Sequence, residues 1–452
     1  MGTLAANAQV PQKPNVLFIA VDDLNHWVGY LGRNPQTKTP NIDRLAARGV
    51  VFTNAYCAAP LCNASRAAIM SGLRPSTTGV YGNRHDWRDV IPPEMTLPTV
   101  FRRAGYDTAT AGKIFHGKFS RNSDWEESLS KIKDDPAPVG DKGLDGFPFA
   151  ALDCGDEELR DWRIAEYGIQ QLRQSHERPF FLSIGFHRPH LPWNVPRKYF
   201  EMHPLDTIEL PPIKDDDLSD IPPAGQKVAK QGKRHRAIVE SGRIREAIQA
   251  YLAAISFADA QVGRLLDALD KSPYRDNTIV VFCGDHGWHL GEKQHWSKFT
   301  LWEEATRAPL IWVAPGITTA GAVCHRNIDF MTIYPTLTDL AGVPTPSHVQ
   351  GKSIRALLQN PNAAWDEPAI TTFNWNNHAV RTKDWRYIRY ADGSEELYDE
   401  GQDPYEWTNL ASNPEYAATK SDLARVFPQH NATAMKTTVL RGDRPKSDGG
   451  DE

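Results

Sequence analysis

A cysteine, a serine and an arginine stand together at the start of a predicted helix. The pentapeptide Cys62-Asn63-Ala64-Ser65-Arg66 follows a strand-like run at 49–52, and Gly72 is typical of a residue that ends a short helix. Cys62 would then lie at a helix N-terminus, where backbone N–H groups and the helix dipole favour a bound anion. The pattern is consistent with a chemical role for Cys62, and the alternative is a buried structural cysteine beside an N-capping serine.

Polar side chains follow three of the apolar runs that the sequence predicts to be strands. Asp22 and Asp23 follow the first run, His187 follows the run at 179–186, and Asp285 and His286 follow the run at 278–283. Ligands bind beyond the carboxyl ends of strands in open α/β sheets. A lone Asp-Asp pair is more often a turn or a helix cap, but two acidic clusters at one sheet edge would repel without a cation between them. The sequence therefore predicts a metal site at this edge.

The elements that must position these residues alternate along the chain. Strand-like runs at 13–21, 106–111, 179–186, 278–283 and 309–313 are separated by helix-like stretches, which predicts an α/β fold with a large, mostly parallel sheet covered on both faces. Short alternating runs at 366–400 predict a small antiparallel sheet. We expect an N-terminal catalytic domain at 13–360 and a smaller C-terminal domain at 361–440, which would contribute to the substrate pocket.

Three segments are predicted to lie outside this framework. Residues 214–236 change from acidic to basic and contain Pro and Gly, so we expect a long exposed excursion. We expect disorder in the tail at 444–452. Residues 4–9 have the small-x-small pattern of a signal-peptidase site, which predicts a periplasmic or secreted protein, although an ordinary flexible terminus has the same composition.

Composition excludes several classes of protein. A net charge of -5 over 452 residues gives no basic field for nucleic acid, and the longest apolar runs are too short to span a membrane. The five cysteines are scattered and odd in number, so they do not form a disulfide framework. The length predicts two domains.

Six motifs, read in order, resemble those of the type I sulfatases. The likeness runs from about residue 15 to about residue 410, and the motifs at 187–192 and 285–288 are most similar to the iduronate-2-sulfatase branch. The six are Asp22-Asp23, Thr39 to Leu45, Cys62 to Arg66, Gly112 to His116, Gly185 to His190 and Gly284 to Trp288. The resemblance implies an alkaline-phosphatase-like fold and a sulfatase activity. It also implies that a maturation enzyme oxidises Cys62 to formylglycine, although Ala64 stands where proline is commoner.

The resemblance also implies roles for individual residues. The hydrated aldehyde would attack sulfur, and calcium would stabilise charge on the sulfuryl oxygens. The calcium ligands would be Asp22, Asp23, Cys62, Asp285 and His286, of which the histidine suits calcium least. Arg66 and Lys113 would contact the formylglycine hydroxyls, and His116 would act as the base that releases sulfate. His187 and Lys298 would bind sulfate and protonate the leaving oxygen.

The sequence carries less information about the substrate than about the catalytic residues. We expect a sulfated saccharide, such as one that carries a uronate, with Arg84, His85, Trp288 and His378 at the binding surface. A phosphate or phosphonate monoester hydrolase of the same fold is the alternative, since that fold supports both chemistries with a similar nucleophile. A third reading is a glycan-binding relative with an inactive site.

Overall fold

The chain is described here from a computed structural model that covers residues 13–129, 131–144, 146–229 and 233–438. The predicted signal-peptide remnant at 4–9 and the predicted disordered tail at 444–452 lie outside these residues. Among the described residues, no helix has both the length and the apolar composition needed to cross a membrane.

Strands form one large sheet, a second smaller sheet near the carboxyl end, and three short pairings. In chain order they are β1 Asn15–Val21, β2 Val50–Tyr56, β3 Asp107–Gly112, β4 Glu127–Leu129, β5 Gly143–Leu144, β6 Phe147–Leu152, β7 Phe180–Phe186, β8 Trp193–Pro196, β9 Thr278–Gly284, β10 His289–Leu290, β11 Trp296–Ser297, β12 Leu310–Val313, β13 Ala322–Asp329, β14 Ala369–Thr372, β15 His378–Arg381, β16 Trp385–Arg389 and β17 Glu395–Asp399.

Helices cover the two faces of the large sheet, and the last of them packs against the small sheet. They are α1 Pro40–Ala46, α2 Cys62–Ser71, α3 Pro75–Thr78, α4 Leu97–Arg103, α5 Arg160–Arg173, α6 Arg197–Glu201, α7 Pro223–Ala229, α8 Lys233–Ser241, α9 Ile244–Lys271, α10 Glu303–Thr306, α11 Ile333–Leu340, α12 Arg355–Gln359 and α13 Ala417–Ala424. Each face of the sheet carries its own cluster of buried apolar side chains, as expected for a sheet covered on both sides.

The large sheet has the strand order β13-β2-β12-β9-β1-β7-β3-β4. All its neighbours pair in parallel except β12, which is antiparallel to both β9 and β2. The mixed, mostly parallel α/β sheet that the sequence predicts is confirmed. Four parallel strands, β9, β1, β7 and β3, are consecutive in space, so their carboxyl ends meet at one edge.

The small sheet is antiparallel, with the order β14-β15-β16-β17, as predicted. Phe373, Ile388 and Tyr398 pack into the same apolar cluster as side chains of β2 and β9. The small sheet is therefore joined to the large one by a shared core. The division of the chain at residue 360 stays a prediction.

The predicted exposed excursion at 214–236 is wrong for much of its length. The segment contains α7 and the start of α8, and Leu218, Ile221 and Ala229 are buried against the main core. Asp217 and Lys293 form an ion pair of 2.8 Å, and each of the two side chains is only 2% exposed. The sequence pattern led to the wrong prediction of an exposed segment, because the acidic run supplies a partner for a lysine that lies 76 residues further along the chain.

Candidate active site

Cys62 lies at the first position of α2, as the sequence predicts, and is fully buried. Its Sγ atom is 3.0 Å from Lys298 Nζ, 3.4 Å from His286 Nε2 and 3.8 Å from Asp23 Oδ1. Gly72 ends the helix with a φ of 70°, in the left-handed conformation that glycine adopts without strain. The sulfur therefore sits among charged groups from three separate parts of the chain.

Three buried carboxylates at the strand ends are each paired with a buried cation. Arg66 donates to Asp285 Oδ2 at 2.8 Å and to Asp22 Oδ1 at 3.2 Å. Lys113 pairs with Asp22, and Lys298 Nζ is 2.6 Å from Asp23 Oδ1. The sequence argument that these aspartates would repel without a metal ion is incomplete. The chain itself supplies one cation for each carboxylate.

This pairing controls the proton affinities around the sulfur. Burial alone would raise the pKa of Asp22, but Lys113, His190 and Arg66 lower it well below the usual value. Burial would likewise raise the pKa of the Cys62 thiol, yet Lys113 and Lys298 outweigh both burial and Asp22 and lower it. For Asp23 the balance is reversed, since burial raises its pKa despite Lys298. The surroundings of the sulfur favour negative charge at that position.

The ligand set suits a hard divalent cation. Ligand atoms of Asp22, Cys62, Asp285 and His286 lie within 4.8 Å of one another, and so do those of Asp22, Asp23, Cys62 and His190. Asp23 Oδ2 is buried without a hydrogen-bond partner, so it has a lone pair to offer. Carboxylate oxygens are the ligands that calcium prefers. The residues present therefore fit a calcium ion.

Sequence reasoning missed one member of this cluster. His190 Nε2 is 3.9 Å from Asp23 Oδ2, and its side chain is 37% exposed, so it lies between the buried carboxylates and the surface. Partial burial and the nearby Lys113 lower its pKa below the usual histidine value. The available signal was its place in the motif at 187–190, of which only the first histidine was assigned a role.

Two further histidines stand beside the cluster. Burial, with a smaller effect of Lys113, lowers the pKa of His116 to about 3, and its Nδ1 is buried without a hydrogen-bond partner. His187, at the end of β7, has its Nδ1 3.4 Å from Asp161 Oδ1, and Asp161 also accepts the backbone N–H groups of His187 and Arg188. Asp161 therefore fixes the position of His187, a role that the sequence did not reveal.

The segment that carries Lys298 has an unusual backbone. Lys293, Gln294, Ser297 and Phe299 have φ values of 56°, 48°, 107° and 76°, which side chains other than glycine rarely adopt. The ring of His295 lies between two carbonyl oxygens, those of Ala229 and Lys298, at 2.7 Å each. Such strain persists only where the surroundings hold it, and it is frequent at functional sites.

A cavity of about 810 Å³ adjoins this cluster. Leu61 and Phe299, the chain neighbours of Cys62 and Lys298, line it. The small sheet and α7 complete its wall. The other lining residues are Tyr81, Gly82, Asn83, Arg84, His85, Pro223, Ala224, Lys227, Val228, Phe373, Asn374, Asn377, Tyr390, Ala391, Asp392 and Thr437. Two of the four predicted substrate-binding residues, Arg84 and His85, are therefore on the cavity wall.

The other two predicted substrate-binding residues, Trp288 and His378, are buried. Trp288 is 2% exposed, and its ring lies under Lys298, with Nζ 5.4 Å from the ring centroid. His378 is fully buried, with its Nδ1 3.0 Å from Thr372 Oγ1 and its ring against Phe427. Trp288 packs into the apolar cluster on one face of the large sheet, and His378 stands on β15 of the small sheet. Neither lines the cavity, and a role in substrate binding stays a prediction for both.

Comparison with known families gives two matches. A family model described as Sulfatase matches residues 14–343. A second model, described as N-sulphoglucosamine sulphohydrolase, C-terminal, matches residues 291–432. Together they cover both sheets.

Individual relatives agree with these matches. A protein named Sulfatase from Formosa agariphila is 40% identical, over 93% of this chain and 87% of its own length. Human iduronate 2-sulfatase is 32% identical, over 82% of this chain and 84% of its own. A solved structure described as a 2-O GAG sulfatase is 26% identical with a TM-score of 0.74, covering 92% of this chain and 91% of that one. Phosphonate monoester hydrolase of Agrobacterium radiobacter has a TM-score of 0.77 but 22% identity, with 91% and 94% covered, which shows the shared fold alone.

Proposed function

We propose that this chain, which belongs to the sulfatase family and is a sulfuric ester hydrolase, acts on a sulfated saccharide that carries a second negative charge. We infer that its nucleophile is formylglycine made from Cys62 and that it uses a calcium ion held by Asp22, Asp23, Asp285 and the adjoining histidines. The observation that carries the proposal is the position of Cys62. Its sulfur lies at the start of a helix, 3.0 Å from Lys298 Nζ and within reach of three carboxylates.

The side chains of this site would have different roles in sulfate transfer. Bound calcium would supply positive charge for the sulfuryl oxygens, and the formylglycine hydrate would supply the attacking hydroxyl and a second hydroxyl for release of sulfate. Lys298 and Lys113 place positive charge near the Cys62 position, where charge on sulfate would develop. Arg66 holds Asp22 and Asp285 in place with two hydrogen bonds.

Two histidines are suited to move the protons. His116 would accept the proton when sulfate is released, because its Nδ1 is buried without a hydrogen-bond partner and burial lowers its pKa, which keeps the ring neutral. His187, which is partly exposed and oriented by Asp161, would protonate the leaving oxygen on the substrate side.

The cavity supports an anionic saccharide as substrate. Arg84 and Lys227 contribute cationic side chains to its wall, opposed by the single carboxylate of Asp392. Asn83 and Asn374 add amide groups that suit sugar hydroxyls. Contacts of arginine with a carboxylate are charge-assisted and therefore favour a uronate over a neutral sugar.

Two further parts of the proposal concern the maturation of the protein and its location. A formylglycine-generating maturation enzyme would be a partner, because Cys62 must be oxidised. We also infer a periplasmic or secreted location from the composition of residues 4–9.

A panel of monoesters with one common aryl leaving group tests the reaction class. We expect the matured chain to hydrolyse the sulfate ester with a higher kcat/KM than the phosphate or phosphonate ester. Faster hydrolysis of the phosphonate would support the alternative hydrolase instead. If no ester and no sulfated saccharide is turned over, the chain is an inactive relative.

A further inference from the structure

The turn between β14 and β15 presents an exposed indole beside the cavity. Trp375 is 49% exposed, and the other exposed large apolar side chains among the described residues are aliphatic. Its neighbours in the turn, Phe373, Asn374 and Asn377, line the cavity, and the indole itself stands outside that lining. One exposed apolar side chain needs no explanation by itself. The case for a function depends on how the turn is held.

The backbone on both sides of Trp375 is strained. Asn374 and Asn376 have φ values of 56° and 60°, in the left-handed region. Asparagine tolerates this conformation better than most residues, but it remains unfavourable, and two such residues around one tryptophan are uncommon. Strain of this kind persists where surrounding contacts impose it, and it often accompanies ligand binding.

Three segments of the chain impose this conformation. Asn377 Nδ2 donates to the Phe373 carbonyl at 2.8 Å, and its Oδ1 accepts from the Ala391 N–H at 2.9 Å. Asn431 Nδ2 donates to Asn376 Oδ1 at 3.0 Å. The turn is therefore tied across itself, to the turn between β16 and β17, and to the C-terminal segment. Trp375 is held on a rigid support rather than on a loose loop.

The surroundings indicate what the indole contacts. The cavity of about 810 Å³ lies in the upper part of the roughly 300–1,000 Å³ range of ligand sites, which leaves room beyond a single sugar ring. One indole among asparagines is far too small a patch for a stable interface between two copies of the chain, which needs about 1,000 Å² or more. An indole face does match the apolar C–H face of a sugar ring, while amides bind the hydroxyls.

We propose that the indole of Trp375 packs against the saccharide ring next to the sulfated one. This inference rests on the proposed function and deepens it. The enzyme then prefers a sulfated oligosaccharide to the corresponding monosaccharide, because only the longer substrate reaches the indole. Binding energy from that remote ring lowers the barrier only for substrates that possess it.

Two probes and three variants test the subsite. The probes are a tetrasaccharide with a terminal 2-O-sulfated uronate and the methyl glycoside of that uronate, and kcat/KM is measured for each by sulfate release. The quantity compared is kcat/KM for the tetrasaccharide divided by kcat/KM for the methyl glycoside. In Trp375→Ala this ratio is expected to fall about tenfold, and in Trp375→Phe it should stay close to that of the unaltered chain. Trp385→Ala is the matched control. The ring of Trp385 packs at a tilt against Tyr416 at the other end of the same sheet, away from the turn that borders the cavity, so the ratio should stay unchanged.

The outcomes separate the subsite from the function on which it rests. An unchanged ratio in Trp375→Ala, or an equal loss on both probes, would overturn the subsite while the sulfatase assignment stands. A fall of equal size in Trp385→Ala would also overturn it, because the effect would then belong to the sheet as a whole. If the unaltered, matured chain releases no sulfate from either probe, the proposed function fails, and the subsite with it.

Discussion

Replacing Asp217 by asparagine should destabilise the protein far more than an ordinary surface change. Asp217 and Lys293 form a 2.8 Å ion pair with both side chains 2% exposed, and Lys293 also donates to the Glu406 carbonyl. Breaking a buried pair by removing one partner costs about 3–5 kcal/mol, because the other charge stays buried. Since that carbonyl and the rings of Trp302 and Tyr398 remain near the ammonium, we expect the lower end, about 3 kcal/mol.

Urea unfolding at neutral pH measures this loss. Asp216→Asn is the control, since its ion pair with Lys214 spans 3.2 Å in the same segment but leaves the two side chains 70% and 37% exposed. A surface pair of this kind contributes about 0–1 kcal/mol. The double variant Asp217→Leu/Lys293→Met removes both charges, so it should recover most of the stability lost by Asp217→Asn.

The comparison also tests the packing of the segment at 214–229. If Asp217→Asn costs no more than Asp216→Asn, the pair is not buried in solution, and the segment is the exposed excursion that its composition suggests. A double variant no more stable than Asp217→Asn would show that the loss came from packing and not from an unpaired charge.

The remaining predictions concern the metal, the substrate and pH. Asp22→Asn and Asp285→Asn should each lower the calcium content of the purified protein and its activity, and full retention of both in either variant would mean that the ligand set is wrong. Arg84→Gln should lower kcat/KM about tenfold for a 2-O-sulfated uronate saccharide and less for an aryl sulfate, and equal losses on the two substrates would count against an anionic saccharide. Burial lowers the pKa of His203 to about 4 in the folded state, against about 6.5 when unfolded, so stability is present above pH 6.5 and is lost as pH falls towards 4. This residue should account for about 2 kcal/mol of the loss between pH 7 and pH 5, and urea unfolding of His203→Gln at both pH values should show a smaller loss.

The positions of the main site residues could be predicted because they depend on local patterns. Asp22, His187 and Asp285 each follow an apolar run, and parallel strands bring their carboxyl ends to one edge of a sheet. Cys62 and Gly72 mark the two ends of a short helix by rules that involve only a few neighbouring residues. Such features do not require knowledge of distant contacts.

The features that sequence reasoning missed depend on distant contacts. Asp217 and Lys293 are 76 residues apart. The sequence alone therefore predicts that this run of aspartates is exposed to solvent, because only the fold brings the lysine next to it. His378 and Trp288 are typical sugar-binding residue types, yet tertiary packing buries both of them. Their exposure could not be read from the sequence, because burial is decided by which elements cover them.

The central claim is that formylglycine made from Cys62 is the nucleophile, and one measurement tests it most directly. Preparations matured to different extents are digested with trypsin, and the peptide at 49–66, which also contains Cys57, is fragmented to give the fraction of Cys62 converted to the aldehyde. Cys57 serves as the unmodified reference within the same peptide. Sulfate release by each preparation should rise in proportion to the converted fraction and vanish at zero conversion. Full activity in a preparation whose Cys62 is entirely unmodified would contradict the claim.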